Sequence, residues 1–388
     1  MKLPSDAPSE IQDPPPSTQP ESGQPNEEVL KSFRLRNIIW PLLIGVLVLG
    51  YAMYQLQAEG LNPIRDIPWS TRVLQMMGIG FVCMMMRDFG YIWRMRILTD
   101  GHLSWKAAFQ VTLLWEFASA ATPSIVGGSP IAIYLFFKEK ISIGKSTAIV
   151  FVTIFFDELF YILMLPAVVL FVDTTALFEP LHGQEGSFLG AGLVVGFWVI
   201  YGILVSYTIF LAFALFINPT ISSRLIRWVF SLRLLRRWQQ VGNKTADDLL
   251  TAAQEYQSKQ FFFWLKAFFA TFLAWMGRYL VLNCVLAAFV LMSFGEHLAA
   301  YARQAIMFVM MILSPTPGSS GVAEGVFGRL FAEYAAMATQ LPADLAEGAG
   351  FVLILASLWR LITYYPYLFL GIPLLSIWLR RVNKQASK

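Results

Sequence analysis

AAYARQAIMFVMMILSPTPGSSG, residues 299–321, is the stretch on which the fold turns. As a helix, Ala299 to Leu313 covers about 22 Å at 1.5 Å per residue, short of the roughly 30 Å of a bilayer's hydrocarbon. Ser314-Pro-Thr-Pro-Gly-Ser-Ser-Gly321 then stops it, and another apolar run follows. Pro315 and Pro317 lack the backbone donor that a helix needs, and Gly318 and Gly321 release the chain into a turn. Non-helical backbone at membrane depth survives only where protein buries it or where it lines a watery cavity. The stretch therefore predicts a half-helix, a turn and a second half-helix that re-enters the membrane. A second stretch repeats the pattern upstream: Ala107 to Ala121 runs into Thr122-Pro-Ser-Ile-Val-Gly-Gly-Ser-Pro130, with Pro123, Gly127 and Gly128 in its turn. Pairs interrupted in this way point to a binding site. The alternative is two ordinary hairpins at the membrane surface.

The composition supplies the solvent for these elements. Apolar residues make up 56% of the chain and charged residues 14%, with a mean hydropathy of +0.57, a balance that a water-soluble domain of this size does not need. No short alternating segments suggest a membrane β-barrel. The expected fold is all-α, a polytopic membrane helix bundle. Full spans are expected at Asn37–Leu56, Val73–Ile97, Ser146–Val172, Phe188–Ile217, Phe261–Phe294 and Gly348–Leu379, the last bent by Pro366 and Pro373.

Residues 1–30 are rich in Pro, Ser, Gln and acids, and are expected to form a disordered cytoplasmic tail ahead of one transmembrane domain, 31–388. Its first half is about 37–217, a cytoplasmic amphipathic linker about 218–260, and its second half about 261–380. Within the linker, Arg224, Arg227, Arg233, Arg236 and Arg237 alternate with apolar residues, as in a helix lying on anionic lipid, although they serve equally as topogenic charge. Basic residues set the orientation. Lys31, Arg34 and Arg36 keep the N-terminus in the cytoplasm. Arg94, Arg96, Lys106, Lys138, Lys140 and Lys145 flank the first interrupted pair on the same side. The loop 173–187 carries no Lys or Arg and belongs outside, and Arg380, Arg381 and Lys384 return the C-terminus to the cytoplasm. Three full spans separate the interrupted pairs, so the pairs enter from opposite faces as an inverted repeat. Arg87 and Arg278 precede the two turns at comparable distances.

The informative residues are the charges that lipid should exclude. Arg87 and Asp88, Glu116, Asp157 and Glu158, Arg278 and Arg360 all fall in apolar runs. Each costs roughly 2.5 to 3.5 kcal/mol at a helix centre, so each must pair or face a cavity. Adjacent helical residues point about 100° apart, so Arg87 with Asp88, and Asp157 with Glu158, are not expected to aim both charges at one spot. An arginine's rigid fork of donors matches phosphate. Arg87, Arg278 and Arg360 are therefore the candidate ligands of a lipid phosphate, aided by the half-helix N-termini at Gly127–Ser129 and Gly318–Gly321. Glu116, Asp157, Glu158 and Glu324 would receive a cationic head group or balance the arginines. Internal salt bridges that only lock helices together explain any one of these residues equally simply.

Cys83 and Cys284 have no metal-ligand spacing, and His102, His182 and His297 are read as solvated loop residues. No catalytic or metal-binding residue is assigned and no cofactor is expected, because no nucleophile elbow, zinc motif, P-loop or dinucleotide fingerprint is present. The basic residues gather in membrane-flanking loops, which makes nucleic acid an unlikely partner.

Three segments resemble the lysylphosphatidylglycerol synthase transmembrane region, the flippase-like membrane-domain family. They are Thr122-Pro-Ser with Gly127-Gly128-Ser-Pro130 and Tyr134-Leu135; Pro315-Thr-Pro-Gly-Ser-Ser-Gly-Val-Ala-Glu324-Gly-Val-Phe; and Leu358-Trp-Arg360-Leu-Ile-Thr-Tyr-Tyr-Pro366 with Gly371. In relatives this domain is fused to a soluble aminoacyl-transferase and moves the charged lipid between leaflets. Residues up to Lys388 hold no such transferase, so the expectation is the membrane part alone, in a bacterial cytoplasmic membrane. Where relatives often carry an acidic residue and then a basic one after the glycine pair, this chain has Ser129, Ile131 and Ala132. That departure leaves the cargo open among anionic or aminoacylated phospholipids and polyprenyl-linked lipids. Beside the flippase stand two other readings: an intramembrane transferase using Asp157 or Glu158, and a partner of a separate lipid-modifying enzyme.

Overall fold

The computed structural model describes residues 69–122, 128–172, 177, 178, 180, 188–233, 235–312, 314–338 and 349–386, with scattered residues between 43 and 58. The tail, most of the expected first span and most of the loop 173–187 lie outside the described residues. Leu43, Val46, Leu47, Gly50, Tyr51, Met53 and Tyr54 from that first span are helical.

The described secondary structure is helical. The elements are α1 (Thr71–Leu98), α2 (Trp105–Ala121), α3 (Ser129–Lys138), α4 (Ile143–Val169), α5 (Phe188–Ala212, with a π-helical last turn Phe213–Ile217), α6 (Pro219–Ser231), α7 (Gln239–Tyr256), α8 (Phe261–Phe289), α9 (Phe294–Ile312), α10 (Val322–Ala336), α11 (Ala349–Thr363) and α12 (Tyr365–Ala386). Serines start several of them. Ser70, Ser104 and Ser142 each accept a bond from the amide three residues on, opening α1, α2 and α4. Asn218 does the same for α6, with Pro219 at its first position.

Five stretches are long and apolar enough to cross a membrane: Thr71–Leu98, Ile143–Val169, Val194–Ile217, Phe261–Phe289 and Gly350–Lys384. Leu74, Phe81, Val82, Met85 and Phe89 of α1 face outward, which is stable where lipid is the solvent. The last stretch is broken at Tyr364, where the sequence predicts one bent span. Pro366 cannot donate to the carbonyl of Ile362, so the helix stops and restarts, whereas Pro373 stays inside α12.

α1 and α8 form the spine. At Gly90 an added Cβ would lie 2.7 Å from the carbonyl oxygen of Ala270 and from the nitrogen of Ala274. At Gly277 it would lie 2.5 Å from the carbonyl of Cys83, so the two backbones touch where a side chain would wedge them apart. This crossing brings the arginine-bearing face of α1 against α8. In α6, Ile221, Leu225 and Trp228 are exposed, as is Leu232 just beyond the helix.

Candidate functional site

The two interrupted helix pairs, α2–α3 and α9–α10, meet at their turns in the middle of the bundle. The amide of Gly318 donates to the carbonyl of Thr122 at 3.4 Å, and the Tyr364 hydroxyl, from the break between α11 and α12, donates to the carbonyl of Ala120 at 3.0 Å. Gly318 adopts φ 55, and an added Cβ there would lie 2.3 Å from the Tyr364 ring. Glycine is needed at this position for both backbone and space. Pro123 and Gly127 lie outside the described residues; Gly128 packs so closely on Ser119 that an added Cβ would sit 2.5 Å from its hydroxyl.

Between the pairs lies a cavity of about 380 Å³, bounded by α1, α2, α4, α8, α9, α11 and both turns. Glu116, Asp157, Glu158, Arg278, Arg360, Gly128 and Gly318 line it. Sequence reasoning thus named residues that folding brings together from far apart in the chain. Arg87 and Glu324 do not line it.

Most of these charges already have partners. Arg87, 1% exposed, pairs with Glu116, and its Nη1 donates to Asp88 at 2.8 Å and to the Tyr367 hydroxyl at 2.6 Å. Tyr367 in turn donates to Asp88 at 2.6 Å. The expectation that Arg87 and Asp88 diverge is therefore corrected: the long arginine side chain folds back, and a third group holds both ends. Asp157 and Glu158 both line the cavity, and among the described residues only Asp157 is paired. Asp157 accepts from both terminal nitrogens of Arg94, at 2.5 and 3.2 Å, and from Trp275 Nε1 at 2.8 Å. Arg360 sits 3.0 Å from Glu324 and donates to the carbonyls of Gly318 at 2.9 Å and Ser319 at 3.3 Å. The remaining oxygen of Glu324 accepts from the Gly321 amide at 2.6 Å. That carboxylate fills the N-terminus of α10, which the sequence offers to a ligand, so the helix end is satisfied from within.

Two charges stay open. Among the described residues, neither Arg278 nor Glu158 has a hydrogen-bond or ion-pair partner. The Arg278 guanidinium meets only ring faces, 5.4 Å from Trp275 and 6.0 Å from Phe308.

Sequence reasoning missed two sets of residues. Arg94, taken as a flanking topogenic charge, is 2% exposed and is the counter-ion of Asp157; its place seven residues after Arg87, on the same helix face, was the available signal. The hydroxyls of Thr112, Thr153 and Tyr279, the Gln304 side-chain oxygen and Trp359 Nε1 are buried at the cavity wall without a partner. Neutral polar residues in apolar runs are ordinary, and only their missing partners mark these. His297, read as a solvated loop residue, is half-buried in α9 and bonds Asn283 at 2.9 Å. His102 is exposed, and His182 lies outside the described residues. Among the described residues no three His, Cys, Asp or Glu side chains gather as a metal site.

These elements define a multi-pass helical membrane protein with a charged cavity inside it. The chain belongs to the lysylphosphatidylglycerol synthase TM region family, which it matches over residues 38–371. It is also similar to a UPF0104 membrane protein of Archaeoglobus fulgidus, 22% identical over 307 residues that make up 73% of this chain and 81% of the relative. No solved structure matches.

Proposed function

We propose that this chain is a flippase-type transporter that takes the charged head group of a membrane lipid into its central cavity and exposes it to each leaflet in turn. The carrying observation is Arg278, a half-buried cation in a membrane bundle with no ion-pair partner among the described residues, lining a cavity whose walls include residues with unpartnered polar atoms. A charge left so in low dielectric is costly, and a lipid phosphate supplies the bidentate acceptor it lacks. Arg87 and Arg360 act behind it as struts, because their donors are engaged by protein. The acyl chains remain in the surrounding bilayer, and only the head group crosses.

In this reading the interrupted pairs are re-entrant hairpins from opposite faces, their turns the barrier that alternately opens. The protein sits in a cytoplasmic membrane with both termini inside, and a separate lipid-modifying enzyme can supply the cargo. The transferase alternative loses support from Asp157, whose carboxylate is held by Arg94 and Trp275 and is not free to act as a base.

The test is leaflet exchange of fluorescent phospholipids and polyprenyl phosphates in liposomes holding the purified protein. Exchange should depend on the protein and fall at least tenfold in Arg278→Ala, the loss of about 1.4 kcal/mol or more from the transition state. Thermal unfolding of the variant should stay close to that of the parent, since no protein partner is orphaned. Undiminished exchange by Arg278→Ala would remove this residue from the mechanism.

A further inference from the structure

Resting on that reading, the cavity wall also carries information about what is attached to the phosphate. Thr112 on α2, Thr153 on α4, Tyr279 on α8, Gln304 on α9 and Trp359 on α11 are 3%, 3%, 1%, 4% and 7% exposed, and each has a polar atom with no partner. Buried polar atoms are nearly always satisfied, and an exception needs a reason. Here the residues that carry these atoms come from five different helices and all line one cavity.

Their chemistry is neutral and mixed. Three are hydroxyls that both donate and accept, one is an acceptor and one a donor. An ammonium head group offers donors only, and would leave Trp359 Nε1 unmet. It also finds little negative charge: Glu116 is taken by Arg87 and Asp157 by Arg94, so Glu158 alone is open. Nor can the aromatic walls cage an ammonium. Guanidinium groups already lie over Tyr91 at 4.6 Å, Tyr364 at 4.6 Å, Tyr367 at 5.0 Å and Trp275 at 5.4 Å. A second cation there would meet those charges.

We propose that the cavity selects a polyol phosphate head group, such as an inositol or sugar phosphate, over an amine-bearing one. The phosphate rests on Arg278, while ring hydroxyls donate to Glu158 and Gln304, accept from Trp359 Nε1, and exchange bonds with Thr112, Thr153 and Tyr279.

Binding to the detergent-purified full chain tests this without requiring transport. The probes are phosphatidylinositol, phosphatidylmethanol and phosphatidylethanolamine with identical acyl chains, competing against one fluorescent phospholipid. Phosphatidylmethanol carries the same single charge as phosphatidylinositol and no hydroxyl. Phosphatidylinositol should bind about tenfold more tightly than either, the effect of one or two net neutral hydrogen bonds. The near-isosteric variants Thr153→Val and Gln304→Leu should each weaken phosphatidylinositol several-fold and leave phosphatidylmethanol unchanged, which also shows that they fold. Arg278→Ala should weaken both lipids. Equal binding of phosphatidylinositol and phosphatidylmethanol, unmoved by Thr153→Val and Gln304→Leu, would mean that water alone meets the orphaned groups and would overturn the proposal. Preference for phosphatidylethanolamine would overturn it as well. Either result, with Arg278-dependent binding retained, leaves the transporter reading standing; absence of binding by any phospholipid removes both.

Discussion

The two interrupted helix pairs share a sequence pattern and are held by opposite means. The second, α9–α10, is fastened at its turn. Arg360 grips two carbonyls of the turn and lies beside Glu324, which in turn caps α10 through Gly321. The first, α2–α3, has no charge at its turn among the described residues, and Gly128 starts α3 without a side-chain cap. Its fastening is at the far end, where Glu139, just past α3, accepts from Trp378 Nε1 at 2.6 Å and pairs with Arg381. Both interruptions are rich in proline and glycine, but among the described residues only the second carries its own ion pair.

Breaking the second turn should have the largest effect. Glu324 and Arg360 are both almost fully buried, with side chains 5% and 3% exposed. Glu324→Ala leaves a buried guanidinium without its counter-ion and the Gly321 amide without its acceptor, at a cost of about 3–5 kcal/mol. Thermal unfolding in detergent should fall sharply. The double variant Glu324→Ala with Arg360→Leu should recover part of that loss, since removing both charges abolishes the orphan. A double variant no better than the single one would show that the turn depends on Arg360's carbonyl bonds rather than on charge balance.

The first pair should respond less, and at its end rather than its turn. Glu139→Ala strands the indole N–H of Trp378, which is fully buried, for about 1–3 kcal/mol. Glu139→Gln keeps an acceptor for that indole and loses only the attraction to the half-exposed Arg381, so its effect should be the smaller of the two. Equal destabilisation by Ala and Gln would assign the fastening to the ion pair instead. Protease accessibility at α3 should rise in Glu139→Ala with α10 unaffected, and the reverse pattern is expected for Glu324→Ala.

Part of this contrast is legible in the sequence. Apolar runs of sufficient length give the spans, and Ser314–Gly321 shows by its prolines and glycines where a helix must stop. The charges within apolar runs are equally plain, and Glu116, Asp157, Glu158, Arg278 and Arg360 do converge on one cavity. Which of them are open is not legible, because that depends on partners across the bundle: Glu116 meets Arg87 on a neighbouring helix, and Asp157 meets Arg94 from three helices away in the chain. Arg94 was hidden by its position near the end of the apolar run, although α1 continues to Leu98. The sequence puts only a bend near Pro366 within one span; that the helix breaks at Tyr364, whose hydroxyl reaches the carbonyl of Ala120, depends on the fold.

The smallest expected effect lies outside the apolar core, where the flanks of the first pair are tied to α7 and α8. Asp100, in the loop between α1 and α2, accepts from Lys259 at 2.6 Å, just before α8, and from Lys145 at 2.9 Å, near the start of α4; Lys145 also reaches Glu255 of α7 at 3.0 Å. Burial alone pushes the Asp100 carboxyl upward, but the hydrogen bonds from Lys259 and Lys145 outweigh it and hold it below its ordinary 3.8. A carboxyl whose folded pKa is depressed contributes stability that is fully present above the unfolded value and is lost as pH falls through the folded one. The difference in unfolding temperature between the parent and Asp100→Asn should therefore be constant at neutral pH and vanish as pH falls through the depressed folded value. Because this cluster is well exposed, the difference should also shrink in high salt, whereas the Glu324 and Glu139 effects, being buried, should persist. A salt-insensitive Asp100 effect would place the first pair's outer fastening in a drier environment than its exposure indicates, and would narrow the contrast between the two pairs.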